Sequence, residues 1–174
     1  MALDADLISI KGSWVRHARS ASEPLPDRDP LPDSRWQRGA IVDALYLADK
    51  EPTAWAEWYR LLAEHGVPPE QSLPTYLWTW RLDVRLANLS NAGRLARVGL
   101  PLPSPGQHTW APFQTIGEEL YADGWAGLIA PSAARPAGLV VCLYRTNGPI
   151  PGATPLPPPK KITSAPVPPK GMTT

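Results

Sequence analysis

The sequence predicts a single α+β domain followed by an extended tail, and three observations carry that reading. Segments with strand-like and helix-like patterns alternate irregularly, with one helix among strands and two later helices bunched together, and there is neither a regular β-α-β rhythm nor an internal repeat. Proline-rich stretches at 20–34, 101–112 and 147–174 mark where regular structure stops. Of the 174 residues, 43% are hydrophobic, enough for one core of ordinary domain size.

Taken in order, SWVRHA (13–18) reads as a first strand, and AIVDALYLA (40–48) contains a second that ends near Ala48. Asp49 is placed to cap the helix that follows. Pro52 is tolerated in its first turn, where the backbone nitrogen has no intrahelical partner. That helix is expected to reach about His65, with Ala54, Trp55, Trp58, Leu61 and Leu62 as its apolar stripe. In LPTYLWTWRLDV (73–84), Tyr76, Trp78 and Trp80 alternate with Leu77 and Thr79, which predicts a strand. SNAGRLARVGL (90–100) and FQTIGEELYADG (113–124) read as short helices stopped by glycine. WAGLIAPS (125–132) is a strand, AARPAG a turn and LVVCLYR (139–145) the closing strand.

Residues 147–174 hold nine prolines and three lysines and no acid. Such a composition buries little and lacks ladder donors, so it predicts a disordered or polyproline-type tail, and the domain boundary is drawn between 146 and 147. The loops at 20–34 and 101–112 are long for structureless connections inside a domain. Loops of that kind tend to be lids or binding loops.

Several function classes are disfavoured. A net charge of +1 supplies no overall field for nucleic acid or an anionic membrane. With one cysteine, Cys142 in an apolar run, neither an internal disulfide nor Cys/His zinc spacing exists, and the thiol reads as a small buried hydrophobe. No secretory signal is expected in MALDADLISI, and no apolar run is long enough to span a bilayer, so the expected location is the cytoplasm. Dinucleotide-fold, P-loop, zinc-protease and nucleophile-elbow motifs are all missing. His17, His65 and His108 are widely separated and read as loop or surface residues, so no metal site is expected.

Five polar residues remain as candidates. Arg16 lies within a strand, an expensive place for an unpaired cation. Arg35 follows the first proline-rich loop and neighbours Trp36, where arginines commonly just stack. Tyr46 precedes the strand-to-helix turn, Glu57 follows it, and Ser132 ends the strand WAGLIAPS. A strand tyrosine is ordinarily core or rim. Glu57 sits roughly 100° from the centre of the helix stripe, a position where amphipathic helices often keep a charge. Periodicity alone leaves Glu57 open between a boundary residue and a catalytic one.

In order, these segments resemble the RES-domain family, toxins of bacterial toxin–antitoxin pairs. WVR (14–16) is similar to the family's opening arginine motif and SRWQ (34–37) to its Gly-Arg-Trp-Asn segment. ALYLADKEPTAWAE (44–57) resembles its tyrosine strand and the helix ending in Ala-x-x-Glu, and residues 113–144 resemble its C-terminal half. Asp33 and Ser34 stand where the family has paired glycines, and Gln37 stands for its asparagine. The resemblance implies an ADP-ribosyltransferase-like mixed sheet with short helices and a cleft. It implies that the enzyme takes NAD+ as substrate, with no further cofactor, and cleaves its nicotinamide–ribose bond by hydrolysis or phosphorolysis. It also implies a small Xre-like antitoxin as partner. Under it, Arg16 and Arg35 bind the pyrophosphate, Tyr46 orients nicotinamide, Glu57 stabilises the developing ribosyl cation and Ser132 bonds the carboxamide or ribose. Two alternatives stay open: a protein ADP-ribosyltransferase, and a non-catalytic binding module whose proline-rich tail is a partner ligand. An enzyme with a free tail predicts that turnover survives deletion of 147–174.

Overall fold

The computed structural model of the chain describes residues 3–25, 27–146 and 148–173. Residues 1, 2, 26, 147 and 174, among them the first residue of the expected tail, lie outside that description. The elements run β1 (Asp6–Ala18), β2 (Asp43–Ala48), α1 (Glu51–Glu64), β3 (Thr75–Asn88), α2 (Ala92–Arg97), α3 (Ala111–Ala122), β4 (Gly127–Pro131), β5 (Leu139–Arg145) and β6 (Ala153–Ile162). The α+β class is as the sequence predicts, and among the described residues no helix is long and apolar enough to cross a membrane.

The strands form one mixed sheet in the order β1-β2-β5-β4-β3-β6, and β1 also pairs with β3, which closes the first five into a ring. β3 and β4 run parallel, while the other neighbours are antiparallel. β1 lies against β3 along its whole length, from Asp6 opposite Asn88 to Ala18 opposite Tyr76. Its first half is mostly exposed, so apolar patterning announced only the second half. β1 and β2, by contrast, pair only at Val15 and Ala48. The ring is split there, and a cavity opens at the split.

Aromatic side chains fill the interior. Trp14, Trp78 and Trp80 pack with Leu45, Leu82, Leu86 and Val141 on one face of the sheet. Trp36, Phe113, Leu89, Leu95, Leu120 and Cys142 pack on the other. Helix α1 lays Trp55, Trp58 and Leu62 against Leu77. Leu61, expected in that stripe, is 39% exposed and faces the cavity instead. The α1 cap also differs from expectation: Lys50, not Asp49, is the N-cap and makes no side-chain cap bond, while Pro52 sits in the first turn as predicted. Helix α3 packs very closely at Gly117, where a Cβ would lie 1.9 Å from the Trp36 carbonyl oxygen, so only glycine lets the Arg35–Trp36 segment settle against that helix.

The largest departure is the tail. Residues 153–162 are not disordered but form β6, antiparallel to β3 from Ala153 opposite Leu82 to Ile162 opposite Thr75, with an irregularity between Leu77 and Thr79. Composition misled because proline is excluded from central strands but not from an edge strand, which offers amides to one neighbour only. Of the ten β6 residues only Ala153 is buried, as the composition predicts, and it is backbone pairing that orders the segment. The domain therefore continues past 146, and residues 153–162 are not free to act as an extended partner ligand.

Loss of the C-terminal segment is therefore expected to destabilise the domain and not to leave turnover intact. Deleting 149–174 removes Ile150 and Ala153 from the core and bares the β3 edge. The expected loss is about 3–5 kcal/mol of unfolding free energy from the core side chains alone, read as a lower urea midpoint, and activity falls with it.

Candidate active site

A cavity of about 340 Å³ lies at the split between β1 and β2, within the size range of small-molecule sites. β1 supplies Val15, Arg16 and His17, and β2 supplies Tyr46, Leu47 and Ala48. Helix α1 turns Glu57, Arg60, Leu61 and Glu64 toward it, and both long loops reach it, through Arg28 and Pro32–Trp36 on one side and Gln107 and Trp110 on the other. Four of the five candidates, Arg16, Arg35, Tyr46 and Glu57, line this one cavity. The fifth, Ser132, is fully buried just behind it and touches Glu57.

Glu57 is held from two sides. Ser132 Oγ donates to Oε1 at 2.6 Å, and Arg60 Nε donates to Oε2 at 3.0 Å. Arg60 in turn donates from Nη1 to Glu64 Oε1 at 2.6 Å, so one guanidinium braces two carboxylates on the same helix face. Ser132 is itself fixed, because its Oγ accepts from the amides of Ala134 and Arg135 at 3.2 and 3.0 Å. A carboxylate fixed at both oxygens but left at a cavity wall is a preorganised negative charge. Ser132→Ala leaves one buried amide, one partly buried amide and one carboxylate oxygen without their partner. Its expected cost is about 1–3 kcal/mol of stability, measurable by urea unfolding, along with a looser Glu57.

The arginines divide into two kinds. Arg16 reaches across the split, where Nη1 makes one long bond of 3.5 Å to the Tyr46 carbonyl and Nε has no partner among the described residues. Asp43, the carboxylate whose charge bears on it, is paired instead with Arg28 at 3.6 Å and Arg145 at 3.0 Å. Burial first, then the Arg28 and Arg145 charges, bring Arg16 down to about 10, which still leaves it a cation at neutral pH. Arg35 is more committed. Nη1 donates to Thr109 Oγ1 at 2.9 Å and Nη2 to the Ser104 carbonyl at 2.6 Å, with the guanidinium 5.2 Å from the Phe113 ring centre. It pins the 101–110 loop over the cavity, so part of the donor set assigned to a pyrophosphate is already used. Burial, followed by repulsion from Arg60, lowers Arg35 to about 10 as well.

Tyr46 also differs from expectation at its hydroxyl. The group donates to Gln37 Oε1 and accepts from the Trp36 amide at 3.2 Å, so it anchors the Trp36 segment. Burial holds the phenol well above its ordinary range, and it stays protonated. Gln37, standing where the resembled family has asparagine, thus supplies the acceptor, while Asp33 closes its own loop by accepting from the Gly39 amide at 2.9 Å.

His17 is not the loop or surface residue that the sequence predicts but a β1 residue at the cavity wall. Burial, then the Arg16 and Arg60 charges, push it down to about 3, so its imidazole is neutral there. Arg60 was missed. Its spacing, three residues after Glu57 and four before Glu64, was the available signal.

No curated protein matches the chain. Among solved structures, seven chains match, including one from the crystal structure of the M. tuberculosis MbcT–MbcA toxin–antitoxin complex, with a TM-score of 0.76, 20% identity, and coverage of 90% of this chain and 87% of that one. At that identity the likeness establishes the fold. The model of the RES domain matches residues 11–164, which takes in the cavity, Glu57, Ser132 and strand β6 alike, and the chain belongs to the RES domain family.

Proposed function

We propose that this protein is the toxin of a toxin–antitoxin pair and that it degrades NAD+ by cleaving the bond between nicotinamide and ribose. RES toxins are in general NAD+-degrading enzymes, and the structural relative named above was crystallised as a toxin–antitoxin complex. The observation that carries the reading is the pairing, in one cavity, of a doubly held carboxylate, Glu57, with a half-buried cation that has no carboxylate partner among the described residues, Arg16.

Each member suits one part of NAD+. An arginine fork with free N–H groups binds phosphate oxygens through charge-assisted bonds, and Arg16 takes that role here. Arg35 contributes mainly by holding the loop of Gln107 and Trp110 in place. The Tyr46 ring offers a flat surface to nicotinamide. When the glycosidic bond breaks, its electron pair passes to the pyridinium nitrogen, and positive charge develops on the ribose carbon and ring oxygen. Glu57 is more strongly attracted to that charge than to the ground state, which lowers the barrier. Water or phosphate oxygen then bonds to the ribose carbon and releases its proton to solvent. Nicotinamide leaves as a neutral molecule, so no general acid is required, consistent with a neutral His17.

The partner is proposed to be a small Xre-like antitoxin. Incubating the purified protein with NAD+, with and without phosphate, and following nicotinamide by chromatography tests the central claim. Release of nicotinamide supports it. Intact NAD+ after prolonged incubation, or ADP-ribose found attached to protein rather than free, overturns it.

A further inference from the structure

We propose that the segment after β6, residues 163–173, sets the geometry of the Glu57–Ser132 pair, with Tyr59 and Thr173 as positioning residues. This rests on the NAD+-cleaving reading for its kinetic consequence, but not for its structural one.

Glu57 and Ser132 lie on different elements, helix α1 and the turn between β4 and β5; their hydrogen bond at 2.6 Å joins those elements at the cavity, and one longer bond, from Arg135 Nη1 to Thr53 Oγ1 at 3.4 Å, joins them beside it. The C-terminal segment grips both elements from behind. On the helix, the Tyr59 hydroxyl, two residues beyond Glu57, donates to the Pro166 carbonyl. Upstream, Lys160 Nζ at the end of β6 pairs with Glu51 Oε1 at 3.2 Å. On the turn, the Thr173 amide donates to the Ala134 carbonyl at 2.7 Å and Thr173 Oγ1 donates to the Ala133 carbonyl at 2.9 Å. Arg135 Nε adds a bond to the Lys170 carbonyl at 3.3 Å.

Those contacts fall on the residues that fix Ser132. Ala134 and Arg135 are the two whose amides bind Ser132 Oγ, and Ala133 lines the cavity. The path from Thr173 to the reacting centre is therefore short: Thr173 to Ala133 and Ala134, then to Ser132, then to Glu57. The prolines suit the task. Pro166, Pro168 and Pro169 restrict the unfolded chain, so ordering this strap costs less backbone entropy than ordering a flexible segment of equal length.

The test uses the full chain with Tyr59→Phe and Thr173→Pro combined, which removes the helix contact and both Thr173 bonds but leaves β6 and the core intact. Two readouts are taken. Amide hydrogen exchange is expected to speed up at Ala134 and Arg135 and to stay as in wild type at Arg81 and Asp83, which belong to β3. The kcat for nicotinamide release is expected to fall by about tenfold with KM for NAD+ changed less than about twofold, since a misplaced catalytic group costs turnover more than binding. Thr173→Ser, which keeps both bonds, is expected to match wild type. Unchanged exchange at Ala134 and Arg135 overturns the proposal whatever the kinetics, as does a variant with wild-type kcat. Wild-type protein that fails to cleave NAD+ overturns the proposed function instead, and the exchange result still decides whether the strap fixes the turn.

Discussion

Glu57→Gln is expected to lower nicotinamide release from NAD+ by about 10²–10³-fold, with circular dichroism and thermal midpoint close to wild type. The size follows from what the substitution removes. The amide has nearly the same shape and its oxygen still accepts from Ser132, but it carries no net charge to oppose the cation forming on ribose. Removing one preorganised electrostatic partner from a water-poor site typically costs that much in kcat. The fold is spared because Arg60 keeps Glu64 as its partner at 2.6 Å and Ser132 keeps its two amides. A variant that turns over NAD+ as fast as wild type would show that Glu57 is a boundary charge and nothing more.

A second substitution, Arg16→Met, is expected to move function and stability in opposite directions. Before substrate binds, the guanidinium carries a cost. It is half-buried, has one long hydrogen bond and, among the described residues, a buried Nε without a partner, and it stands near two other arginines. Replacing it with an apolar side chain of similar length removes the desolvation cost, and a gain of about 1–2 kcal/mol raises the melting midpoint by about 2–8 °C. Once phosphate is bound, the same guanidinium supplies charge-assisted bonds worth about 1.5–3 kcal/mol each. Their loss raises KM for NAD+ by about 10²-fold. Differential scanning calorimetry and steady-state kinetics on one preparation check both halves. A variant that is destabilised and binds NAD+ normally would assign Arg16 to the framework.

Most of the fold was legible because its elements carry strong local signals. The alternating tryptophans of β3, the proline in the first turn of α1 and the glycines after α2 and α3 act within a few residues. β6 and the first half of β1 were illegible for a shared reason. Each buries only one residue fully, Ala153 in β6 and Ile10 in the first half of β1, and both are ordered by pairing with β3, information that resides in the partner strand. The site shows the same division. Both long loops were expected to bear on function, and both line the cavity. The bond between Glu57 and Ser132 joins residues far apart in the chain, so only the resemblance brought them together beforehand. Arg35 shows the limit of reading by residue type. A guanidinium suits phosphate in the abstract, and here two of its donors are spent on Thr109 and Ser104.

Strand β6 also imposes an order in time. Every residue that lines the cavity lies at or before Val140, so all of them leave the ribosome before the strand that steadies β3. Until that strand arrives, Ile150 and Ala153 are absent from the interior and one edge of β3 stays open. A growing chain thus carries every cavity-lining residue without the framework that keeps them in register. For a protein proposed to consume NAD+, this delays toxicity until β6 has been made and leaves a window in which a partner can be waiting.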